Sequence, residues 1–287
     1  MDWSTYTIAG TIWGMDSPVL SPEISAYYEG KDEGRRLLDS ADGRLELIRT
    51  QEILRRHLSG RSLHVLDVGG GTGIHSAWLT NDGHHCTVID PMPKHVQAAR
   101  RSGLTSVLAD ARALPVADNS FDAVLVMGPL YHLPHARERH LVLAEAVRVL
   151  RPGGLLAAAA IGRFASLFEN SGLGTLALPR VATAVTGIME TGELIEPPPG
   201  AFTTAFFHTP DLLAAELSEA GAEDVRVYGV EGPAWGMLKA VEAREVTVGG
   251  LEDDPLFASV LNAARLAEAH PELLAAASHL LAVGIVP

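Results

Sequence analysis

Leu63-His64-Val65-Leu66-Asp67-Val68-Gly69-Gly70-Gly71-Thr72-Gly73 joins an apolar run to four glycines within five positions. Four of the six residues from Leu63 to Val68 are apolar, the composition of a buried strand. The turn that follows is almost bare of side chains, and Ile74 to Leu79 reads as the first turns of a helix. A strand, a bare turn and a helix N-terminus bring backbone N–H groups up to a ligand that must come close. In an open α/β sheet this crevice lies at the carboxyl ends of the strands, where cofactors bind.

The glycine spacing selects among cofactors. A dinucleotide site reads Gly-x-Gly-x-x-Gly. Here Gly69, Gly71 and Gly73 read Gly-x-Gly-x-Gly, and Ile74 stands where a dinucleotide binder needs its third glycine. Asp67, two residues ahead of the first glycine, suits a cationic amine better than a pyrophosphate. Asp67-x-Gly69-x-Gly71-x-Gly73, with Gly70 inside it, resembles motif I of the class I S-adenosylmethionine (SAM) dependent methyltransferases.

The segments downstream keep that order. His85 to Asp90 is a second strand ending in an acid about twenty residues after Gly69, the place of a ribose-binding carboxylate. Pro91 and Met92 follow where an adenine ring can rest on apolar atoms, and the helix Pro93 to Ser102 comes next. Strand Thr105 to Ala109 ends in a third acid, Asp110; the resemblance implies that Asp110 and Ala111 meet the adenine. Asn119 to Met127 is a polar turn and then the central strand, and Leu141 to Leu150 is an amphipathic helix closed by Pro152-Gly153-Gly154. Leu155 to Ile161 is a fifth strand, Asp224 to Val230 a sixth and His279 to Val286 a seventh. The resemblance, strongest over 62–161, implies an α/β Rossmann-like class I methyltransferase fold. Its sheet has seven mostly parallel strands in the order 3-2-1-4-5-7-6, with helices on both faces. Residues 1–60 form an N-terminal helical arm, with helices at Asp32 to Leu38 and Leu45 to Leu58, the second stopped by Gly60. Residues 61–287 form the SAM-binding domain, with lid insertions at about 162–208 and 231–277.

Composition narrows the partners. A formal net charge of −13 repels a nucleic-acid backbone, so no nucleic-acid substrate is expected. Cys86 is the only cysteine, which excludes an intrachain disulfide and a three-cysteine iron–sulfur site. The N-terminus has no basic segment before an apolar run, Asp2 and Asp16 interrupt it, and Leu155 to Ile161 is too short to span a bilayer. The chain reads as cytoplasmic, away from membranes, a monomer or homodimer that works on a small molecule.

The resemblance implies SAM as cofactor and S-adenosylhomocysteine as product. The methyl group then lies beside Met127 and Gly128, where the central strand ends. Tyr131 and His132 are the first polar side chains able to reach an acceptor, and His132 is the general base by residue type, since an imidazole titrates near neutral pH. Tyr27 and Tyr28, ahead of a Gly30-Lys31-Asp32 turn, are suited to close over a ligand, with Tyr28 able to orient the acceptor in place of a base. The aromatics of the arm, Trp3, Tyr6 and Trp13 among them, and Phe206, His208 and Trp235 of the insertions are further lid candidates. Gly128-Pro129-Leu130-Tyr131 lacks the Asn/Asp/Ser-Pro-Pro-aromatic motif of the DNA and amide N-methyltransferases of this fold. No compact cluster of His, Asp and Glu at ligand spacing stands in the sequence, so no metal is expected, and His84-His85 reads as a surface feature. The expected acceptor is an aromatic or heterocyclic metabolite, indole types included, methylated on carbon, nitrogen or oxygen. The alternative is a SAM-binding or partner-binding module of the same fold without turnover.

Overall fold

The computed structural model describes residues 20–30, 33–58, 62–195, 197, 202–244 and 254–287. The aromatics Trp3, Tyr6 and Trp13, the Lys31-Asp32 turn, the helix stop at Gly60 and most of the Pro197-to-Gly200 turn lie outside the described residues. Nine strands occur among those described: β1 His64–Val68, β2 His85–Asp90, β3 Thr105–Leu108, β4 Phe121–Val126, β5 Leu150–Gly162, β6 Glu193–Leu194, β7 Ala205–His208, β8 Glu223–Gly229 and β9 His279–Val286. β3, β2, β1, β4 and β5 lie side by side and parallel. β9 runs antiparallel on β5 and β8 antiparallel on β9. This is the expected 3-2-1-4-5-7-6 order, with β8 as its sixth strand and β9 as its seventh.

Two strands exceed the seven. β5 is 13 residues long against six for β4, and its pairing with β4 stops at Ala158. The overhang pairs in parallel with β7, Ile161 with Phe207 and Gly162 with His208, and β6 closes a short hairpin on β7. β5 also starts earlier than its apolar core suggests. The helix Ala136–Val149 gives way at Leu150, and Arg151 to Gly154 form a bulge against β4 rather than a helix terminator.

Apolar side chains alternate between two layers, as pleated strands require. Leu66, Val68, Val124, Val126, Leu156 and Ala158 pack under the helices Ala136–Val149 and Pro210–Glu219. Val65, Ala123, Leu125, Leu155 and Ala157 pack under Ala41–His57 and Ile74–Asn81. Each fully buried valine or leucine among them contributes about 1.5–3 kcal/mol.

Helix Ala41–His57 spans two tasks. Ile53 and Leu54 lock it to the sheet, while Leu45 joins Trp235, Leu238 and Phe257 in a separate core with the second insertion. A shorter helix, Pro22–Glu29, was not foreseen; Ser21 caps it by accepting from the Ile24 N–H at 3.2 Å, and Pro22 starts it. Its Glu23 carboxylate accepts from the Thr204 N–H and Oγ1, each at 2.8 Å, and from Thr203 Oγ1 at 3.1 Å. On the other side Lys94 donates to the carbonyls of Tyr28 and, at 3.0 Å, of Glu29. The arm is thereby tied to both the domain and the first insertion. His84 is buried and accepts from the Leu63 N–H at 3.3 Å, so of the His84-His85 pair only His85 is exposed. Among the described residues no helix is long and apolar enough to cross a membrane.

Candidate active site

A cavity of about 750 Å³ opens where β1, β2 and β4 end. Of the residues expected to meet the cofactor, Gly69, Gly70, Gly71, Asp90, Pro91, Met92, Asp110, Ala111, Met127 and Gly128 line it, and Asp67 and Gly73 do not. Gly69 is required by space as well as by conformation, and Gly70 by space. A Cβ on Gly69, whose φ is +68°, would sit 2.6 Å from Pro129 Cδ; one on Gly70 would sit 2.6 Å from Asp67 Cγ.

The amides of the four glycines are spent inside the protein, against the expectation that they face a ligand. Gly69 and Gly70 N–H donate to the Ile89 carbonyl at 2.7 and 3.3 Å. Gly71 N–H donates to Asp90 Oδ2 at 2.9 Å and Gly73 N–H to the Gly70 carbonyl at 2.9 Å. What the turn contributes is closeness, and Gly73 lies off the cavity wall as the N-cap of helix Ile74–Asn81. Asp67 is off the wall too. It is wholly buried beneath the turn, where Ser76 Oγ donates to Oδ2 at 2.8 Å and Oδ1 has no partner among the described residues. Burial pushes its carboxyl up to about 6, with Asp90 adding to the rise. Direct contact with a cationic amine, the role expected of Asp67, needs a place on the wall that the turn itself occupies.

The other two acids are placed differently. Asp90 closes β2 and clamps its surroundings: besides Gly71, it takes the Met92 N–H on Oδ1 at 2.8 Å, with His95 Nδ1 at 3.0 Å. Oδ1 is thereby filled, while Oδ2, which among the described residues takes only the Gly71 N–H, retains room for a further donor from the cavity. Asp110 is half-buried. Burial pulls its carboxyl up, but the Arg112 guanidinium, 2.6 Å from Oδ2, and the Arg112 N–H hold it below the usual range.

Facing these acids is an aromatic cluster. Gly128 breaks β4's line and Pro129–His132 form a single tight helical turn that carries Tyr131 and His132 onto the cavity wall. Tyr28, from helix Pro22–Glu29, reaches the same place, its hydroxyl 2.6 Å from His132 Nε2. Burial pushes the His132 imidazole down to about 4, offset in part by the Thr204 backbone and the Asp90 carboxylate. His132 is therefore neutral at pH 7, with a titration well below the neutral range expected of it. Tyr27 stands behind, edge-on to Tyr28 and to Phe202 at 5.3 and 5.4 Å between ring centres. Tyr27 does not line the cavity, and Phe202, which packs on the His132 ring at 5.8 Å, was missed.

Three lid candidates belong to the core. Phe206 lies under the Arg139 guanidinium at 3.8 Å, and His208, with no exposed surface, bonds Glu216 Oε2 through Nε2 at 3.1 Å. Trp235 is buried with its Nε1–H donating to the Ala276 carbonyl at 3.1 Å. None of the three lines the cavity.

The wall beyond β4 carries a group the sequence hid. Arg36, Glu46, Thr50, His75 and His279 line the same cavity, and Glu231 lies buried directly behind His279. One ligand atom each from Glu46, Glu231 and His279 falls within 4.8 Å of the others, the spacing of a cation site. Their charges are already matched, however. Arg36 bonds both oxygens of Glu46 at 2.9 and 3.0 Å, and His279 gives Nδ1 and its N–H to the two oxygens of Glu231 at 2.6 and 2.9 Å. A metal ion would have to break those pairs.

Burial alone would push His279 down, but Glu46 and Glu231 outweigh it and raise the imidazole to about 9. A raised histidine stabilises the fold fully below its unfolded value near 6.5 and loses that contribution as pH climbs through about 9. Thermal melts should therefore show wild type well above His279→Gln at pH 6, the gap closing as pH passes 9. A gap that stays constant to pH 10 would contradict a charged His279.

Residues 66–158 match a family described as a methyltransferase domain. The demethylmenaquinone methyltransferase of Mycobacterium tuberculosis H37Rv is 31% identical over 178 residues, 60% of this chain and 72% of that protein. The ubiquinone biosynthesis O-methyltransferase of Xylella fastidiosa M23 is 29% identical over 200 residues, 67% of this chain and 74% of that protein. Among solved structures, the PH0226 protein of Pyrococcus horikoshii OT3 superposes with a TM-score of 0.53 at 19% identity, over 70% of this chain and 92% of that one. Haemonchus contortus phosphoethanolamine N-methyltransferase 2, solved with phosphomonomethylethanolamine and S-adenosylhomocysteine, gives 0.54 at 15% identity, over 84% of this chain and 52% of that one. These last two share the fold.

Proposed function

The chain belongs to the SAM-dependent methyltransferases, and on that footing we propose that it methylates a flat aromatic or heterocyclic small molecule seated between the Tyr28–His132 pair and the wall of Arg36, Glu46 and His279. The observation that carries this reading is that one cavity runs from the glycine turn past Tyr28 and His132 to His279. SAM supplies a methyl group already activated on a sulfonium. The residues fit it: bare glycine backbone at the wall, a carboxylate at the end of β2, and apolar Met92 beside it. In this assignment Asp90 takes the ribose hydroxyls, Pro91, Met92 and Ala111 bracket the adenine, and Asp110 meets its amine.

The rest of the task is placement. Tyr28, Tyr131 and the apolar Ile24, Leu37, Val230 and Leu281 give a ring-shaped acceptor its walls, which orients it and excludes water. Helix Pro22–Glu29, tied to Lys94 on one side and to Thr203 and Thr204 on the other, serves as the cover. With Nε2 of His132 taken by the Tyr28 hydroxyl, a proton leaving the acceptor reaches the neutral imidazole through that hydroxyl. The two named relatives support a ring-bearing acceptor, since their names place them in menaquinone and ubiquinone synthesis. Indole-type acceptors fit the same walls. Incubation with SAM and a panel of quinols, naphthols, indoles and amines tests the reading: S-adenosylhomocysteine should accumulate with ring-bearing members and stay at background with none added.

A further inference from the structure

We propose that His279 is a specificity-determining residue: it donates from Nε2 to an oxygen on the acceptor ring, a hydroxyl, phenolate or carbonyl. The inference rests on the proposed function and adds the acceptor's polar group to it.

The argument begins with where the residue stands. The residues assigned to the cofactor follow β1, β2, β3 and β4. His279 opens β9, and its neighbours on the wall are Ala159 of β5, Val230 just after β8 and Leu281 of β9. In sheet order these three strands lie on the other side of β4 from the glycine turn. This is the acceptor's half of the cavity, and apart from its charged group it is apolar.

The hydrogen bonds then leave one atom to act. Both oxygens of Glu231 are held by His279 itself, through Nδ1 at 2.6 Å and the backbone N–H at 2.9 Å. Both oxygens of Glu46 are held by Arg36, and Oε2 lies 3.6 Å from His279 Nδ1. With Nδ1 pinned, the ring has Nε2 left, and Nε2 has no partner among the described residues. The side chain keeps 21% of its surface accessible on a residue that lines the cavity. The charged groups around it are Glu231 behind, Glu46 from helix Ala41–His57 and Arg36 from helix Arg36–Asp39, with His75 of helix Ile74–Asn81 near Glu46. Burial holds His75 neutral, down at about 4. Two carboxylates therefore keep the His279 ring protonated, and Nε2 is a donor in an otherwise apolar chamber. A donor of that kind stabilises an oxygen lone pair, best of all a phenolate, and offers nothing to an ammonium.

The two imidazoles of the chamber then divide the work. His132 is neutral and able to receive a proton, and His279 is charged and able to hold an oxygen, the separation of titrations that marks paired acid and base roles.

Binding of 1-naphthol and of naphthalene to the full chain saturated with S-adenosylhomocysteine tests this. Wild type should bind 1-naphthol at least about tenfold more tightly than naphthalene, the scale of a hydrogen bond to a charged group. The bound naphthol should also show the naphtholate absorption band at a pH where free naphthol does not. His279→Gln, melting at a lower temperature but still cooperatively folded at the assay temperature, should abolish both the preference and the band while keeping its S-adenosylhomocysteine affinity. Glu231→Gln, which keeps a hydrogen-bonding group behind the ring but removes its charge, should weaken both and remains readable if His279→Gln does not fold. The proposal is overturned if the preference survives in folded His279→Gln or is undiminished in folded Glu231→Gln, or if folded His279→Gln loses S-adenosylhomocysteine instead, which would assign the group to the cofactor. Equal binding of the two probes by wild type, with methyl transfer to a ring-bearing acceptor intact, would overturn this proposal alone. Failure of both probes to bind would overturn it together with the proposed acceptor class.

Discussion

Replacing His132 with alanine is expected to lower turnover by about 10²–10⁴-fold, the range for loss of a general base, with little change in S-adenosylhomocysteine affinity. The geometry adds a second requirement. Tyr28 O and His132 Nε2 are 2.6 Å apart, so the proposed proton route needs both groups. Tyr28→Phe should then fall in the same direction, and the double variant should fall no further than His132→Ala, because the two act as one unit. The pH dependence sharpens the test. A base must be unprotonated, and burial holds His132 down at about 4, so the rate should stay flat on the acid side until pH approaches 4. A limb near 6.5 would assign the proton transfer to a less buried imidazole. The same shift works against the fold: the unfolded chain takes up this proton below about 6.5 while the folded chain does not until about 4, so His132 erodes stability across that window. Initial rates separate the two effects. Full activity in both single variants would leave geometry and a dry chamber as the protein's whole contribution.

The second large effect is expected at Asp90. On the proposed assignment, Asp90→Ala removes the acceptor of the ribose hydroxyls and also frees Gly71 N–H, Met92 N–H and the His95 ring, so the turn loses its clamp with the ligand's partner. Charge-assisted hydrogen bonds at about 1.5–3 kcal/mol each give a loss of roughly a hundredfold or more in SAM affinity by calorimetry. Asp67→Asn is the control. Asp67 lies beneath the turn and off the cavity wall, and burial already raises its carboxyl to about 6, so neutralising it should change affinity by less than about tenfold. Equal losses in the two variants would mean that Asp67 touches the cofactor after all; an unchanged Asp90→Ala would remove Asp90 from the site.

The contrast between those two acids also shows what the sequence could and could not carry. Strand lengths, strand order and the acids at strand ends are local or nearly local features, and β1, β2, β3, β4 and β9 stand within about a residue of where periodicity places them. A strand end fixes which residue comes last but not which side of a turn it faces; Asp67 and Asp90 are alike in sequence and opposite in place. The bare turn was legible, whereas the acceptors for its amides, the Ile89 carbonyl and Asp90, were not, since they belong to the next strand. Phe206 and His208 looked available because an aromatic strand reads the same on either face; Arg139 and Glu216, from two separate helices, claim them. The Glu46, Glu231 and His279 group has no sequence signature at all. It is assembled from the arm, the start of the second insertion and the last strand, so only the packing of three distant segments brings its charges together.

Transfer of a labelled methyl group from SAM to an added acceptor tests the central claim most directly. With wild-type protein and a panel of hydroxylated bicyclic aromatics, quinols and indoles, label should appear in an organic product in one-to-one yield with S-adenosylhomocysteine, and His132→Ala should cut that rate by at least about a hundredfold. SAM that binds by calorimetry yet gives no labelled product with any ring-bearing acceptor would contradict the account.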